Sequence, residues 1–308
     1  MRIDGRTHEF PDITFVDEIA EGANGVVFAA RDSLLDRRIA VKIWKARGVA
    51  RSQLETKKIA NISHPLFVTT HRFGRSDDGH PFAVMEFIDG QSAKSWLHES
   101  RSLSERIAVW RLYSRALTYL YGKGVLHGDP HLGNVIIFDD DGEDEHLYPD
   151  GIALKIADTG TSAFWDSRRN FIERESEIIV EVASLLFRDQ PTDKLLAISD
   201  HIPPSGLLRI FNAFASVVGH MKFNNEPYAY SIVAGAIVNE VIKCPFFDLD
   251  ELLDFARVSP GTTANRVMNR LNWKLDQDRS NSDNWAEELT DKTRFSYENA
   301  KMEFLAEL

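Results

Sequence analysis

The hydrophobic pattern of this chain changes period once, near Ile88–Asp89, and that switch limits the folds open to it. Before it, apolar residues alternate. "ITFVDEIA" (13–20) and "RRIAVKIWK" (37–45) carry the period of two expected of strands, and "GVVFAARD" (25–32) between them is apolar and β-branched. "DSLLD" (32–36) supplies the turn between the last two, and "SDDG" (76–79) separates two more strand-like runs, "HPLFVTTHRFG" and "HPFAVMEFI". One helical stretch, 50–62, interrupts them with Leu54, Ile59 and Ile62 on a stripe. After the switch the period is that of helices. "SERIAVWRLYSRALTYLYGKG" (104–124) predicts an amphipathic helix capped by Ser104 and ended by glycine. Further helices are predicted at 173–188, 205–221, 228–243, 247–257 and 261–275, with only a short strand region around 135–158. The expectation is an α+β, bilobal chain. Residues 1–88 form an antiparallel sheet lobe with one helix, 89–275 a larger helical lobe, and 276–308 a helical tail packed on the latter.

With 308 residues, 43% of them hydrophobic, such a chain can bury a substantial core. Its net charge of −11 opposes a nucleic-acid partner, since neutralising phosphates takes a surplus of Lys and Arg. Much of that charge lies in "DDDGEDEHLYPD" (139–150), which reads as a solvated hairpin tip and lacks the ligand spacing of a calcium loop. One cysteine, Cys244, excludes an internal disulfide and reads as a small buried hydrophobe. No apolar run reaches the roughly 18–20 residues that span a bilayer. The polar start "MRIDGRTHEFPD" has no signal-peptide core. The expectation is a soluble, cytoplasmic protein with no membrane partner.

The densest chemistry is in "LHGDPHLGNVIIF" (126–138), where His127, Asp129, His131 and Asn134 precede a strand-like run. Two histidines and a carboxylate at alternating positions suit a metal. An Asp followed five places on by an Asn suits a base and a magnesium ligand. Elsewhere, "EIAEGANGVVFAA" (18–30) puts Gly22 and Gly25 in a turn between strands, followed by Val27. Glycines there let backbone N–H groups approach phosphate oxygens, although such a pair is more often a plain hairpin. Lys42, in "IAVKIW", alternates with Val41 and Ile43 and projects beneath that turn. Glu55, in the helical stretch 50–62, is either a surface charge or the partner that orients Lys42.

Taken in order, "AEGANGVV" (20–27), "IAVK" (39–42), Glu55, "HP" (64–65), "VMEFIDG" (84–90), "HGDPHLGN" (127–134) and "DTG" (158–160) resemble the signature set of the protein-kinase superfamily over roughly residues 13–165. The resemblance implies a bilobal kinase-like fold and an ATP- and magnesium-dependent kinase. Gly22 and Gly25 would cover the ATP phosphates with Val27 beside them, and Lys42 would bind the α/β oxygens, held by Glu55. Met85 would be the gatekeeper, with Glu86 and Ile88 bonding the adenine through their backbones. Asp129 would accept or orient the acceptor hydroxyl proton, and Asn134 and Asp158 would hold magnesium. Glu175 or Glu177, in "RESEIIVEVASLLF", would tie down the 127–134 loop.

The loop departs from the eukaryotic pattern. Gly128 stands where an arginine receives the phosphorylated activation loop, which implies activity without that phosphorylation. His131 replaces the usual lysine, Thr159 the phenylalanine of D-F-G, and Ala20 the first glycine. "HGDPHLGN" is similar to the catalytic loop of aminoglycoside- and choline-type phosphotransferases. The expectation is a serine/threonine protein kinase of atypical or prokaryotic type acting on a protein. The alternatives are a kinase of small hydroxyl compounds and a nucleotide-binding pseudokinase. Retention of Lys42, Asp129, Asn134 and Asp158 speaks against the pseudokinase. The histidines at 8, 64, 71, 80, 146, 201 and 220 pair with nothing that would complete a transition-metal site.

Overall fold

In the computed structural model of the chain, the described residues are 2–3, 6–7, 10, 12–22, 25–45, 62–76, 79–139, 147–148, 151–159, 168–190 and 202–220. Contacts divide the chain into two compact units, Met1–Val182 and Ala183–Leu308. The change of period at Ile88–Asp89 falls inside the first unit.

That unit opens with a two-residue pair of strands, β1 (Arg2–Ile3) and β2 (Arg6–Thr7). Next come β3 (Ile13–Glu21), β4 (Gly25–Asp32), β5 (Arg37–Trp44), β6 (Thr70–Arg75) and β7 (Pro81–Glu86). These five form an antiparallel sheet in the order β3-β4-β5-β7-β6. The register sorts its side chains. Phe10, Val26, Phe28, Ala30, Ile39, Val41, Ile43, Phe82 and Val84 form one buried cluster. Phe10 is edge-on to both Phe15 and Phe82 there. The alternate positions Val27, Lys42 and Ala83 pair across three strands and share the other face with Ala29, Ala40 and Met85. β5 is central and buried on both faces from Ile39 to Trp44. β3 is an edge strand with two irregularities in its register, and its exposed charges Asp17, Glu18 and Glu21 keep that edge from pairing further.

β8 (Gly90–Ser92), β9 (Val135–Phe138) and β10 (Ala153–Ile156) make a second antiparallel sheet in the order β10-β9-β8. The strand region expected at 135–158 is thus a hairpin whose arms flank the acidic stretch. An isolated bridge from Phe67 to Ile156 joins the segment before β6 to β10. Among the helices, α1 (Ala93–Trp96) is a single turn capped by Ser92, and α2 is Leu103–Gly122.

Helix α2 corrects the predicted cap. Its N-cap is Ser102 and not Ser104, because Glu105 then occupies the third helical position and closes a capping box. Ser102 Oγ accepts the Glu105 N–H at 3.2 Å, and Glu105 Oε2 accepts the Ser102 N–H at 2.8 Å. The helix ends as expected at glycine, with Gly124 at φ +70°. Its buried face carries Ile107, Val109, Trp110, Tyr113, Leu117 and Leu120. Helix α3 (Arg168–Leu186) begins five residues before the predicted start, and α4 (Pro204–His220) matches its expected span closely. In the second unit, Leu186, Phe187, Leu207, Phe211 and Phe214 are buried, and Phe187 lies edge-on to Phe214 at 5.4 Å. The expected helices at 50–62 (apart from Ile62), 228–243, 247–257 and 261–275, and the tail, lie outside the described residues. No helix among the described residues is long and apolar enough to cross a membrane.

Candidate active site

The glycine turn is the β3–β4 connection. Gly22 donates its N–H to the Gly25 carbonyl at 2.9 Å, and Lys45 braces it, its Nζ 3.1 Å from Gly22 O and 2.5 Å from Glu21 Oε1. From β5, Lys42 extends to Asp158 in the turn after β10, Nζ to Oδ1 2.8 Å. The lysine side chain is 8% exposed and the carboxylate 31%, so the pair is largely shielded from solvent screening. Asp158 holds a left-handed backbone, φ +56°, a conformation that Asp tolerates better than most residues and that often marks functional turns. Glu55 lies outside the described residues. The register puts Ala40, buried between Ala29 and Met85, on the Lys42 face, a position sequence reasoning left out. Its signal is simple: it is a small residue two places before the lysine.

Met85 and Glu86 end β7, and Ile88 follows in the link to β8. The Glu86 backbone N–H donates to Thr69 O at 2.9 Å, and its carboxylate turns towards β10. Oε2 lies 2.6 Å from Lys155 Nζ, while Oε1 accepts the Thr69 N–H at 2.5 Å. Arg38 stacks over the Phe87 ring at 3.9 Å and reaches Asp89 at 3.0 Å. Side chains therefore brace the 86–89 segment on both sides.

Residues 127–134 form a loop leading through a 3-10 turn (Leu132–Asn134) into β9. His127 is fully buried. Its Nδ1 accepts the Asp129 N–H at 3.3 Å, which leaves the ring proton on Nε2 to bond Ala157 O at 3.0 Å. Burial pushes this imidazole down to about 4, against the pull of the Ala157 carbonyl and of the Asp158 and Asp129 charges, so it is neutral near pH 7. Asn134 donates its side-chain N–H to Asp129 O at 2.9 Å, and its backbone carbonyl accepts the Ala157 N–H at 2.8 Å. These bonds fasten the loop carrying Asp129 and Asn134 to the turn carrying Asp158. The structure thus brings together Lys42, Asp129, Asn134 and Asp158, far apart in sequence.

The loop is held from below by helices. Glu175 of α3, fully buried, accepts the backbone N–H groups of His127 at 3.1 Å and Gly128 at 2.7 Å, and the Tyr121 hydroxyl at 2.6 Å. Burial raises its pKa, with the Asp129 charge adding to that, although the bonds from Tyr121, Gly128 and His127 pull the other way. Glu177 instead pairs with Arg174 on the surface, so of the two candidates Glu175 is the one that ties down the loop. Gly128, which stands where the eukaryotic kinase pattern has an arginine, has φ +96°, a backbone conformation that favours glycine. Tyr113 of α2 donates to Pro130 O at 2.9 Å.

His131, marked in the sequence as part of the 126–138 cluster and as the residue in place of the usual lysine, meets Gly133 and Asp129 in the structure. Its Nδ1 accepts the Gly133 N–H at 3.0 Å, and its Nε2 lies 3.4 Å from Asp129 Oδ2. The contact with Asp129 raises the His131 pKa despite burial, helped by the Glu181 and Asp158 charges. In turn, burial of Asp129 favours its protonated form, but His131, His127 and Arg174 outweigh this and hold the carboxyl below the usual range.

Asn134 spends its amide nitrogen on Asp129, leaving its carbonyl oxygen as a ligand atom, and Asp158 has one oxygen on Lys42. Two hard oxygen donors fit magnesium, which draws its other ligands from water and phosphate. Among the described residues no group of three or more His, Cys, Asp or Glu is placed to hold a metal by itself, and the His127–Asp129–His131 metal reading gains nothing from the geometry.

The family model of the protein kinase domain matches residues 13–180. Serine/threonine-protein kinase pkn3 of Myxococcus xanthus is 32% identical over 158 residues, 48% of this chain and 27% of that protein. Serine/threonine-protein kinase PknA of Mycobacterium tuberculosis is 33% identical over 131 residues, 39% of this chain and 30% of that protein. The chain thus spans about a third or less of the length of these curated relatives. Among solved structures, a double mutant of the Mycobacterium tuberculosis PknI kinase domain shares the fold with a TM-score of 0.51 at 20% identity, covering 67% of this chain and 97% of that one. With more than half of its length matched by the family model, the chain belongs to the protein kinase family.

Proposed function

We propose that the chain is an ATP- and magnesium-dependent serine/threonine protein kinase. The observation that carries this reading is the Lys42–Asp158 ion pair, which brings the sheet lysine to the carboxylate beside the Asp129–Asn134 loop. The names of its relatives, which are serine/threonine-protein kinases, support the acceptor class.

In this reading the glycine turn covers the phosphates of ATP and Lys42 engages their α/β oxygens. Asn134 and Asp158 hold magnesium, which when bound offsets the negative charge of the phosphate oxygens. Asp129 takes the proton of the acceptor hydroxyl as its oxygen bonds to the γ-phosphorus and the bond to the ADP oxygen breaks. A carboxyl held below its usual range is ionised at neutral pH and ready for that proton. Glu175, Tyr113 and His127 keep the loop in place while this happens, since catalysis of phosphoryl transfer is mostly positioning and charge stabilisation.

The acceptor class is tested by offering the purified chain labelled ATP with mixed protein substrates, and separately with choline and an aminoglycoside. Label on serine or threonine after acid hydrolysis of the protein is the expected result. Label confined to the small alcohols overturns the protein-kinase reading.

A further inference from the structure

Residues 129–133 contain a unit that the function above leaves unexplained. Among the described residues, His131 is the side chain that meets the Asp129 carboxylate, at 3.4 Å from Oδ2. Because Nδ1 accepts the Gly133 N–H, the proton of the neutral ring lies on Nε2, the nitrogen that faces Asp129. The ring occupies the space a side chain at 133 would need: a Cβ there would lie 2.8 Å from His131 Cε1 and 2.9 Å from Nδ1. The backbone closes the unit, with the Asn134 N–H bonded to His131 O at 2.9 Å and the Asn134 side chain to Asp129 O at 2.9 Å.

We propose that His131 is a positioning residue for Asp129, its imidazole seated on Gly133 and holding carboxylate oxygen Oδ2 so that Oδ1 is presented to the acceptor hydroxyl. This rests on the phosphotransferase reading above. Asp129 is 39% exposed at its side chain, and without such a partner its carboxylate is free to rotate. A misplacement of about 1 Å at a reacting group can cost on the order of 100-fold in rate. The inference accounts jointly for the histidine and the glycine at positions 131 and 133 of this loop, because each is needed for the other to sit where it does.

Two amide substitutions separate positioning from a merely structural turn cap. His131→Gln puts an N–H near the place of Nε2 but removes the acceptor for Gly133. His131→Asn puts an oxygen near the place of Nδ1, keeping the cap, but does not reach Asp129. Transfer from ATP is measured for these variants and for His131→Ala, with thermal unfolding to confirm folding. His131→Ala and His131→Asn are expected to lose kcat about 10- to 100-fold with KM for ATP within about 3-fold. His131→Gln is expected to recover most of that loss. Gly133→Ala is expected to lower kcat in the wild-type background and to add little to His131→Ala.

Asn matching the wild type, or Gln no better than Ala, overturns the proposal. The wild type and Asp129→Asn run alongside. A wild type without transfer, or an Asp129→Asn variant as active as the wild type, overturns the reading on which the proposal rests, and the proposal with it.

Discussion

Lys42 and Asp158, 116 positions apart in sequence, meet at 2.8 Å and tie the central strand of the sheet to the turn after β10. Because the lysine is buried and the carboxylate two-thirds covered, the pair joins structure to function. Lys42→Met and Asp158→Asn each remove this partner from the other. In urea unfolding, the single variants and the double variant are expected to show a coupling of about 1–3 kcal/mol, well above the ~0.2–1 kcal/mol of exposed pairs. Strict additivity would mean the pair contributes nothing to the fold.

Glu175 supports the loop through three accepted bonds, and the two carboxylate oxygens have distinct duties. In Glu175→Gln, the amide oxygen serves one set of donors and the amide nitrogen is left facing an N–H. This variant is expected to lose about 1–3 kcal/mol in denaturant unfolding and to lower kcat more than it raises KM for ATP. Glu177→Ala, which among the described residues breaks only the exposed pair with Arg174, is expected to change stability by no more than about 0.5 kcal/mol.

The buried His127 makes stability depend on pH. Its folded-state pKa is about 4, below the 6.5 of the unfolded chain, because burial disfavours the charged ring. The contribution is therefore complete above pH 6.5 and is lost as pH falls through 6.5 towards 4. At ~1.4 kcal/mol per unit, this amounts to roughly 3 kcal/mol. Glu175 acts in the opposite sense. Its folded-state pKa is raised, so its contribution is complete below 4.5 and is lost as pH rises through the folded-state value. The difference in unfolding free energy between wild type and His127→Gln isolates the histidine. It is expected to shrink between pH 7 and pH 4.5, and a difference independent of pH contradicts the burial argument.

Much of this was legible in the sequence, and the limits are physical. Apolar, β-branched runs bounded by turn residues marked β3, β4, β5 and β7 as strands, but the pattern did not show that β5 is buried on both faces, because a central strand's second face is covered only by tertiary packing. The glycine turn, Lys42, Asp129, Asn134 and Asp158 were legible as a candidate site through the resemblance of their order to the protein-kinase signature set, whereas Val41 and Ile43 were legible as core from strand alternation. Period and order say nothing about which of two chemically alike neighbours makes a contact. Ser102 prevailed over Ser104 because Glu105 completes a box with one and not the other. Glu175 prevailed over Glu177 because the face of α3 turned towards His127 is set by tertiary packing. The His131–Asp129 contact depends on the bend of the 3-10 turn, which no local pattern records.

Gly128, at φ +96°, gives its N–H to Glu175 and offers no side chain to a phosphate. Dephosphorylated enzyme is therefore expected to retain its activity, measured before and after phosphatase treatment, and loss of activity would contradict the expectation. Gly128→Arg is expected to destabilise the fold by about 1–2 kcal/mol, the cost of a left-handed backbone at a residue with a side chain.

The most direct test of the central claim is transfer of label from γ-labelled ATP in the presence of magnesium by the wild type, Asp129→Asn and Asp158→Asn. The wild type is expected to label itself or an added protein, with both variants reduced at least ~100-fold and still folded. ATP binding without transfer by the wild type, or transfer undiminished in both variants, would contradict the assignment of Asp129 and Asp158 to the chemistry.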